Sequence, residues 1–162
     1  MKLIEFKGKK YPSFQADGFG AQFIFPFAEK FCVGKGLDIG CGRKEWSLPG
    51  SFPIDIKFNE QYDAFNLPDG KFDYIFSSHC LEHLVDWSGA LDLWISKLRN
   101  GGVLFLYLPD YSQEYWRPWN CKKHIHHFKS TIIVDFLKDR QMKNIFYSGV
   151  DLANSFAVVC GK

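Results

Sequence analysis

The feature that most constrains this chain is the stretch Gly36-Leu37-Asp38-Ile39-Gly40-Cys41-Gly42. Leu37 and Ile39 read as a short buried strand that runs straight into a turn carrying two glycines. Glycine lacks a Cβ, so it lets backbone bend tightly or approach a ligand closely. Such a turn after the first strand of an α/β sheet is a usual seat for a nucleotide-like ligand. Two details narrow that ligand. Asp38, at the strand's end, offers a carboxylate to a cationic group. The position of a third glycine in a dinucleotide fingerprint holds Glu45, which is poorly suited to a pyrophosphate.

The rest of the chain alternates apolar strands with helical stretches. Phe52-Pro53-Ile54-Asp55-Ile56 reads as a second strand ending at an acid, and Tyr62-Asp63-Ala64-Phe65 as a short third. Phe72-Asp73-Tyr74-Ile75-Phe76-Ser77-Ser78 is mostly apolar, as a buried parallel strand should be. A helix is expected from about Ser88 to Arg99, with Leu91, Trp94, Ile95 and Leu98 on one stripe, stopped by Asn100-Gly101-Gly102. Val103 to Leu108 is the next strand. Ser130 is expected to cap a further helix with Ile133, Phe136 and Leu137 inward. Strands near Asn144–Ser148 and Ser155–Cys160 can pair as a hairpin. Residues 1–17 are basic and aromatic, with Pro12 against a long helix. Residues 18–31 read as a greasy helix interrupted or begun near Pro26. The pattern predicts an α/β sandwich, parallel except at one edge.

Composition sets the outer limits. With 162 residues, 46% of them hydrophobic, the chain makes one domain with a proper core. A formal charge of +2 gives no electrostatic case for nucleic acid or membrane binding. Cys32, Cys41, Cys80, Cys121 and Cys160 are odd in number and never spaced as Cys-x-x-Cys. They read as reduced thiols, and with no signal-like N-terminus they make the cytoplasm the expected location.

Taken together, residues 36–161 resemble a class I S-adenosylmethionine-dependent methyltransferase of the small type 11 kind. The matching segments are Leu37-Asp38-Ile39-Gly40-Cys41-Gly42, Asp63-Ala64 with Leu67-Pro68, Phe72-Asp73-Tyr74-Ile75, Leu81-Glu82-His83-Leu84 and Leu98-Arg99-Asn100-Gly101-Gly102. The resemblance implies a Rossmann-like three-layer sandwich around a seven-stranded sheet of order 3-2-1-4-5-7-6, strand 7 antiparallel. It also implies S-adenosylmethionine as cofactor. Asp38 and the turn Gly40, Cys41 and Gly42 would face its methionine part, and Asp55 would accept from the ribose hydroxyls. Asp63 would accept from the adenine amino group, with the Ala64 N–H serving the ring and Ser78 beside the reacting end. Asp55 and Asp63 also have plainer readings, as turn caps. Loss of Asp55 should then cost little stability, because it lies at a strand end.

The first crossovers are clipped, with 12 residues between Gly42 and Asp55 and 7 between Asp55 and Asp63. A parallel connection normally takes about a dozen residues or more, so the first helix reduces to a turn or loop. The aromatic N-terminal segment, residues 1–35, is the candidate cap.

Methyl transfer needs a nucleophile aligned with the sulfonium and, for a hydroxyl acceptor, a base. His79 and His127 are the candidate bases. His79, Glu82 and His83 share one face if helical, which suits a metal ion. The trio resembles the acidic-and-histidine metal site of quinone-biosynthesis O-methyltransferases, with His79 in place of an acid. Glu82-His83 is nonetheless read as structural, His79 is left open, and no metal is assigned. The run Lys122 to Lys129 has three readings: metal site, phosphate patch or solvated loop. Its histidines have no cysteine or carboxylate partner nearby in sequence. Asp110-Tyr111, Tyr115-Trp116 and Trp119 fall where an acceptor pocket would be built, or form a packed insert. The expected activity is methyl transfer to a small-molecule substrate, with no nucleic acid or membrane partner. The alternative is a catalytically silent binding module of the same fold.

Overall fold

In the computed structural model, residues 2–13, 18–116 and 122–162 are described. Its strands are β1 (Leu3–Phe6), β2 (Lys9–Pro12), β3 (Gly36–Ile39), β4 (Phe52–Ile54), β5 (Phe72–Ser78), β6 (Leu98–Pro109), β7 (Lys143–Tyr147) and β8 (Ser155–Gly161). Its helices are α1 (Phe25–Ala28), α2 (Trp87–Lys97) and α3 (Ser130–Asp139). β1 and β2 form a separate antiparallel hairpin, which the sequence patterning did not anticipate.

The main sheet has six strands, in the order β4-β3-β5-β6-β8-β7. β4, β3, β5 and β6 run parallel, and β8 is antiparallel to both β6 and β7. This is the expected order without its outermost strand. The expected third strand at Tyr62–Phe65 is instead a turn, with an isolated bridge between Asp63 and Asn66. Asp63 Oδ1 accepts from the N–H groups of Phe65 and Asn66, at 2.7 and 2.8 Å. A side chain that closes its own backbone into a turn competes with strand pairing.

One face of the sheet is covered by α2 and α3. Leu91 and Trp94 from α2, and Ile133, Phe136 and Leu137 from α3, pack on Ile75, Leu104, Leu106 and Val158. The other face has a thin cover. There Ile24, Ala28 and Cys32 lie on Tyr74, Phe76, Phe105 and Tyr107. The expected helix over 18–31 is a 3-10 turn, Gly20–Phe23, followed by the one-turn α1. Pro26 sits at the start of α1, where its missing N–H costs nothing.

Two helix ends differ from expectation. α2 begins at Trp87, one residue before the expected start, where Asp86 caps it by accepting from the Gly89 N–H at 2.9 Å. At its other end Asn100-Gly101-Gly102 is not the stop. Strand β6 starts at Leu98 itself, and Lys162 Nζ donates to the carbonyls of Ile95, Ser96 and Leu98. Cationic groups at the last carbonyls close a helix as a glycine would. α3 begins at Ser130, after Lys129, with no side-chain cap.

Trp94 ties this framework to the clipped crossover. Its ring is fully buried, and Nε1 donates to the Ala64 carbonyl at 2.8 Å. Trp94→Phe keeps most of the packing and leaves that carbonyl without its donor. An expected loss of about 1–2 kcal/mol in urea unfolding follows from the unmade bond.

Candidate functional site

The strand order reverses between β3 and β5, where an open α/β sheet forms a crevice outside its carboxyl ends. Gly40, Asp55, His79 and Asp110 follow β3, β4, β5 and β6 at that edge. The glycine turn is fixed by two bonds to the neighbouring strand. The Gly40 N–H donates to the Ile54 carbonyl and the Gly42 N–H to Asp55 Oδ2, both at 2.8 Å. Asp55 Oδ1 accepts from the Lys57 N–H at 2.9 Å. Asp55 therefore holds the turn together, which argues against the expectation that its loss costs little stability.

Asp38 is 1% exposed. Its Oδ2 accepts from the Leu48 N–H at 2.7 Å, while Oδ1 has no hydrogen-bond partner among the described residues. Burial raises its pKa to about 7, against the lowering effect of the Leu48 and Ser47 bonds. A buried carboxylate with one idle oxygen fits a cationic partner, such as an ammonium or sulfonium group. Ser78 Oγ is likewise buried without a partner among the described residues.

An open cleft of about 390 Å³ lies beside the turn, lined by Gly42, Arg43, Lys44, Glu45, Lys57 and Phe58. The 3-10 turn Lys44–Trp46 stands in place of the first crossover helix, as the short spacing predicts. Phe19 stacks on Trp46 with ring centroids 5.0 Å apart. In the loop after β6, Tyr115 packs against Phe6 and Tyr11, at 5.4 and 5.5 Å, and Glu114 pairs with Lys9. The N-terminal residues thus touch the loops after β3 and after β6. Tyr115 belongs to the packed insert, whereas Tyr111 is exposed, with the His127 ring 6.4 Å away. Trp119 and Cys121 lie outside the described residues. Cys32, Cys41, Cys80 and Cys160 form no disulfide, and burial pushes their thiols well above the usual range, Cys41 to about 12.

His79 does not present itself as an open base. Its φ is +50°, and the ring is turned inward. Nε2 lies 3.2 Å from Ser155 Oγ and Nδ1 3.6 Å from Glu82 Oε1. A Cβ on Gly20 would stand 3.0 Å from the ring, so the N-terminal segment closes over it. Burial and the neighbouring His83 lower its pKa to about 3, far from the neutral range that suits a general base. Glu82 is wholly buried and its pKa is raised to about 8 by desolvation. Its burial, and the approach of the 122–126 segment to it, had no signal in sequence spacing.

Residues 18–147 match the family profile of a methyltransferase domain. The chain belongs to the methyltransferase domain family. It is a class I, S-adenosylmethionine-dependent enzyme with a Rossmann-like fold. No curated protein matches the sequence. Among solved structures, an Archaeoglobus fulgidus SAM-dependent methyltransferase is 19% identical, over 90% of this chain and 94% of that one, with a TM-score of 0.69. A Thermotoga maritima SAM-dependent methyltransferase is 15% identical, over 93% and 95%, with a TM-score of 0.71. The Burkholderia thailandensis 1,6-didemethyltoxoflavin N1-methyltransferase, solved with its acceptor and S-adenosylhomocysteine, is 13% identical over 90% and 76%, with a TM-score of 0.64. Among the described residues no helix is long and apolar enough to cross a membrane.

Proposed function

We propose that this methyltransferase acts on a small-molecule acceptor held over the carboxyl ends of β5 and β6. The observation that carries the reading is the mouth itself. N-terminal rings contact both flanking loops, while Tyr111 and His127 follow β6. The Burkholderia thailandensis enzyme, with a small acceptor on the same fold, supports it.

Bound S-adenosylmethionine supplies an electrophilic methyl group. Asp38 Oδ1 holds the ammonium of its methionine part, beside the Gly40, Cys41 and Gly42 turn. Asp55 takes the ribose hydroxyls with its remaining lone pairs, since each oxygen already accepts one backbone N–H. Asp63 meets the adenine amino group through Oδ2, because Oδ1 serves its own turn, and the Ala64 N–H serves the ring. Ser78 lies next to the reacting end. His127 takes the acceptor's proton, and His79 positions the loop after β5. An amine acceptor deprotonated in solution would need no base, and His127 would then only orient it.

A methyl-transfer screen over metabolite classes tests this reading. Turnover of a small acceptor supports it, and transfer confined to protein or RNA would sink it. S-adenosylhomocysteine should bind in titration more tightly than NAD. With an acceptor in hand, His127→Ala should lower kcat about a hundredfold, the contribution of a positioned base, with S-adenosylhomocysteine affinity unchanged. An unaltered kcat would remove His127 from proton transfer. Asp55→Ala should weaken S-adenosylhomocysteine by about 2 kcal/mol and also destabilise the ligand-free protein by about 1–2 kcal/mol, since two backbone N–H groups lose their acceptor. Calorimetry and urea unfolding of the same preparation check both halves.

A further inference from the structure

Glu82 is a buried carboxylate for which the methyl-transfer reading has no use. It is 0% exposed, and neither oxygen has a hydrogen-bond partner among the described residues. Unmade bonds to a buried carboxyl group are costly, so a group left in this state calls for an occupant of its pocket. The surrounding groups are imidazoles. His83 Nε2 is 3.9 Å from Glu82 Oε1, and the His124 ring meets the His83 ring edge-on at 4.5 Å. One ligand atom from each of Glu82, His83 and His124 lies within 4.8 Å of the other two.

The arrangement is built rather than incidental. The N–H groups of Ile125 and His126 both donate to the Glu82 carbonyl, at 2.9 and 3.1 Å. That clamp brings His124 to a carboxylate forty-two residues earlier in the chain. His83 Nδ1 is 2.8 Å from the Lys123 carbonyl. A carbonyl only accepts, so Nδ1 carries the proton and Nε2 keeps its lone pair on the side of Glu82. A ring nitrogen held by a backbone carbonyl is the usual outer support of a histidine metal ligand.

We propose that Glu82, His83 and His124 bind one divalent transition-metal cation of the zinc type. Two neutral imidazoles and a carboxylate suit zinc and leave a fourth position open. Tetrahedral ligands on bonds of about 2.0 Å stand about 3.3 Å apart, so the present spread closes with small side-chain rotations. His83, the exposed member, gives the ion its way in. The trio differs from His79-Glu82-His83, the set suggested by spacing in the sequence: His79 has its Nε2 on Ser155 and is not one of the three. The carboxylate missing from the neighbourhood of the 122–129 histidines is supplied across space by Glu82. The competing occupant is a proton carried by Glu82 itself, with His79 Nδ1 3.6 Å from Oε1 and beyond hydrogen-bond reach.

The full chain, stripped with a chelator and dialysed, is titrated with Zn²⁺ by calorimetry and with Co²⁺ by visible absorption. One equivalent of Zn²⁺ should bind. Co²⁺ should show the intense bands of a four-coordinate site without the thiolate charge-transfer band that cysteines would add. Glu82→Gln and His124→Gln should each weaken Zn²⁺ by about tenfold or more. Where a variant does not fold, ring-nitrogen NMR of the parent serves instead: Zn²⁺ should shift His83 and His124, with the His83 Nδ1 proton retained. Absent binding, a thiolate band, variants that bind like the parent, or unmoved histidine signals would each overturn the site and leave a protonated Glu82. None of these readouts depends on methyl transfer, so the metal site and the acceptor reading stand or fall separately.

Discussion

Replacing Asp38 by Asn is expected to weaken S-adenosylhomocysteine by about 3–5 kcal/mol, the cost of leaving one member of a buried charge pair alone. The same change should stabilise the ligand-free protein above neutral pH. Both follow from the geometry of one carboxylate. Oδ2 accepts the Leu48 N–H, which an amide oxygen can still do. Oδ1 has no partner among the described residues, and in the variant an NH2 group stands there, aimed at a ligand ammonium.

The sign of the pH effect is set by the raised pKa, about 7 against 3.8. In the parent, the native state keeps the proton that the unfolded chain has lost. The stability contributed by neutral Asp38 is full below about 3.8 and is lost as pH rises to about 7. That loss amounts to about 4 kcal/mol over the three-unit shift. Asp38→Asn does not undergo it. Glu82, raised to about 8, titrates with the same sign in both proteins, so the difference between them isolates Asp38. Binding should run the other way. Holding an ammonium requires the ionised form, so parent affinity climbs through pH 7 while that of the variant stays flat. Equal affinity at pH 8, or unfolding free energies that stay parallel from pH 4 to 8, would show that Asp38 is not the ammonium's partner.

What could be seen in the sequence was what local chemistry decides. Phe72–Ser78 is a strand on residue-by-residue agreement, because an apolar run of that length suits only a central parallel position. The inward face of α3 and the terminal hairpin were legible for the same reason. Asp38 and the glycine turn could be singled out because strand, acid and glycines are contiguous. Other features depend on partners remote in sequence. Leu98 enters β6 directly because Lys162, sixty-four residues on, closes α2. The Tyr62–Phe65 strand fails because the Asp63 side chain captures its own backbone. Whether Glu82 is a surface acid or a buried one is decided by residues 122–126 folding onto it. No periodicity carries that information.

Gly40→Ala should cost about 2–5 kcal/mol in urea unfolding and disturb cofactor binding with it. Gly40 has φ +83°, where a residue with a Cβ loses about 1–2 kcal/mol. Its added Cβ would stand 2.5 Å from both Cβ and Sγ of Cys80, contacts that no rotation of the thiol relieves. Overpacking of this kind costs about 1–3 kcal/mol. The turn cannot back away, because the Gly40 N–H is bonded to Ile54 and the Gly42 N–H to Asp55. The strain therefore passes to Cys80, the neighbour of His79, and opens the crevice between the glycine turn and the loop after β5. A double-mutant cycle with Cys80→Gly separates the two costs. Removing the Cys80 side chain should recover the clash and leave the backbone penalty, so the pair should be less destabilised than the sum of the single changes by about 1–3 kcal/mol. S-adenosylhomocysteine affinity should recover in step. If the two changes simply add, the clash is absorbed elsewhere, and the close approach of Cys80 is not what demands glycine at this position.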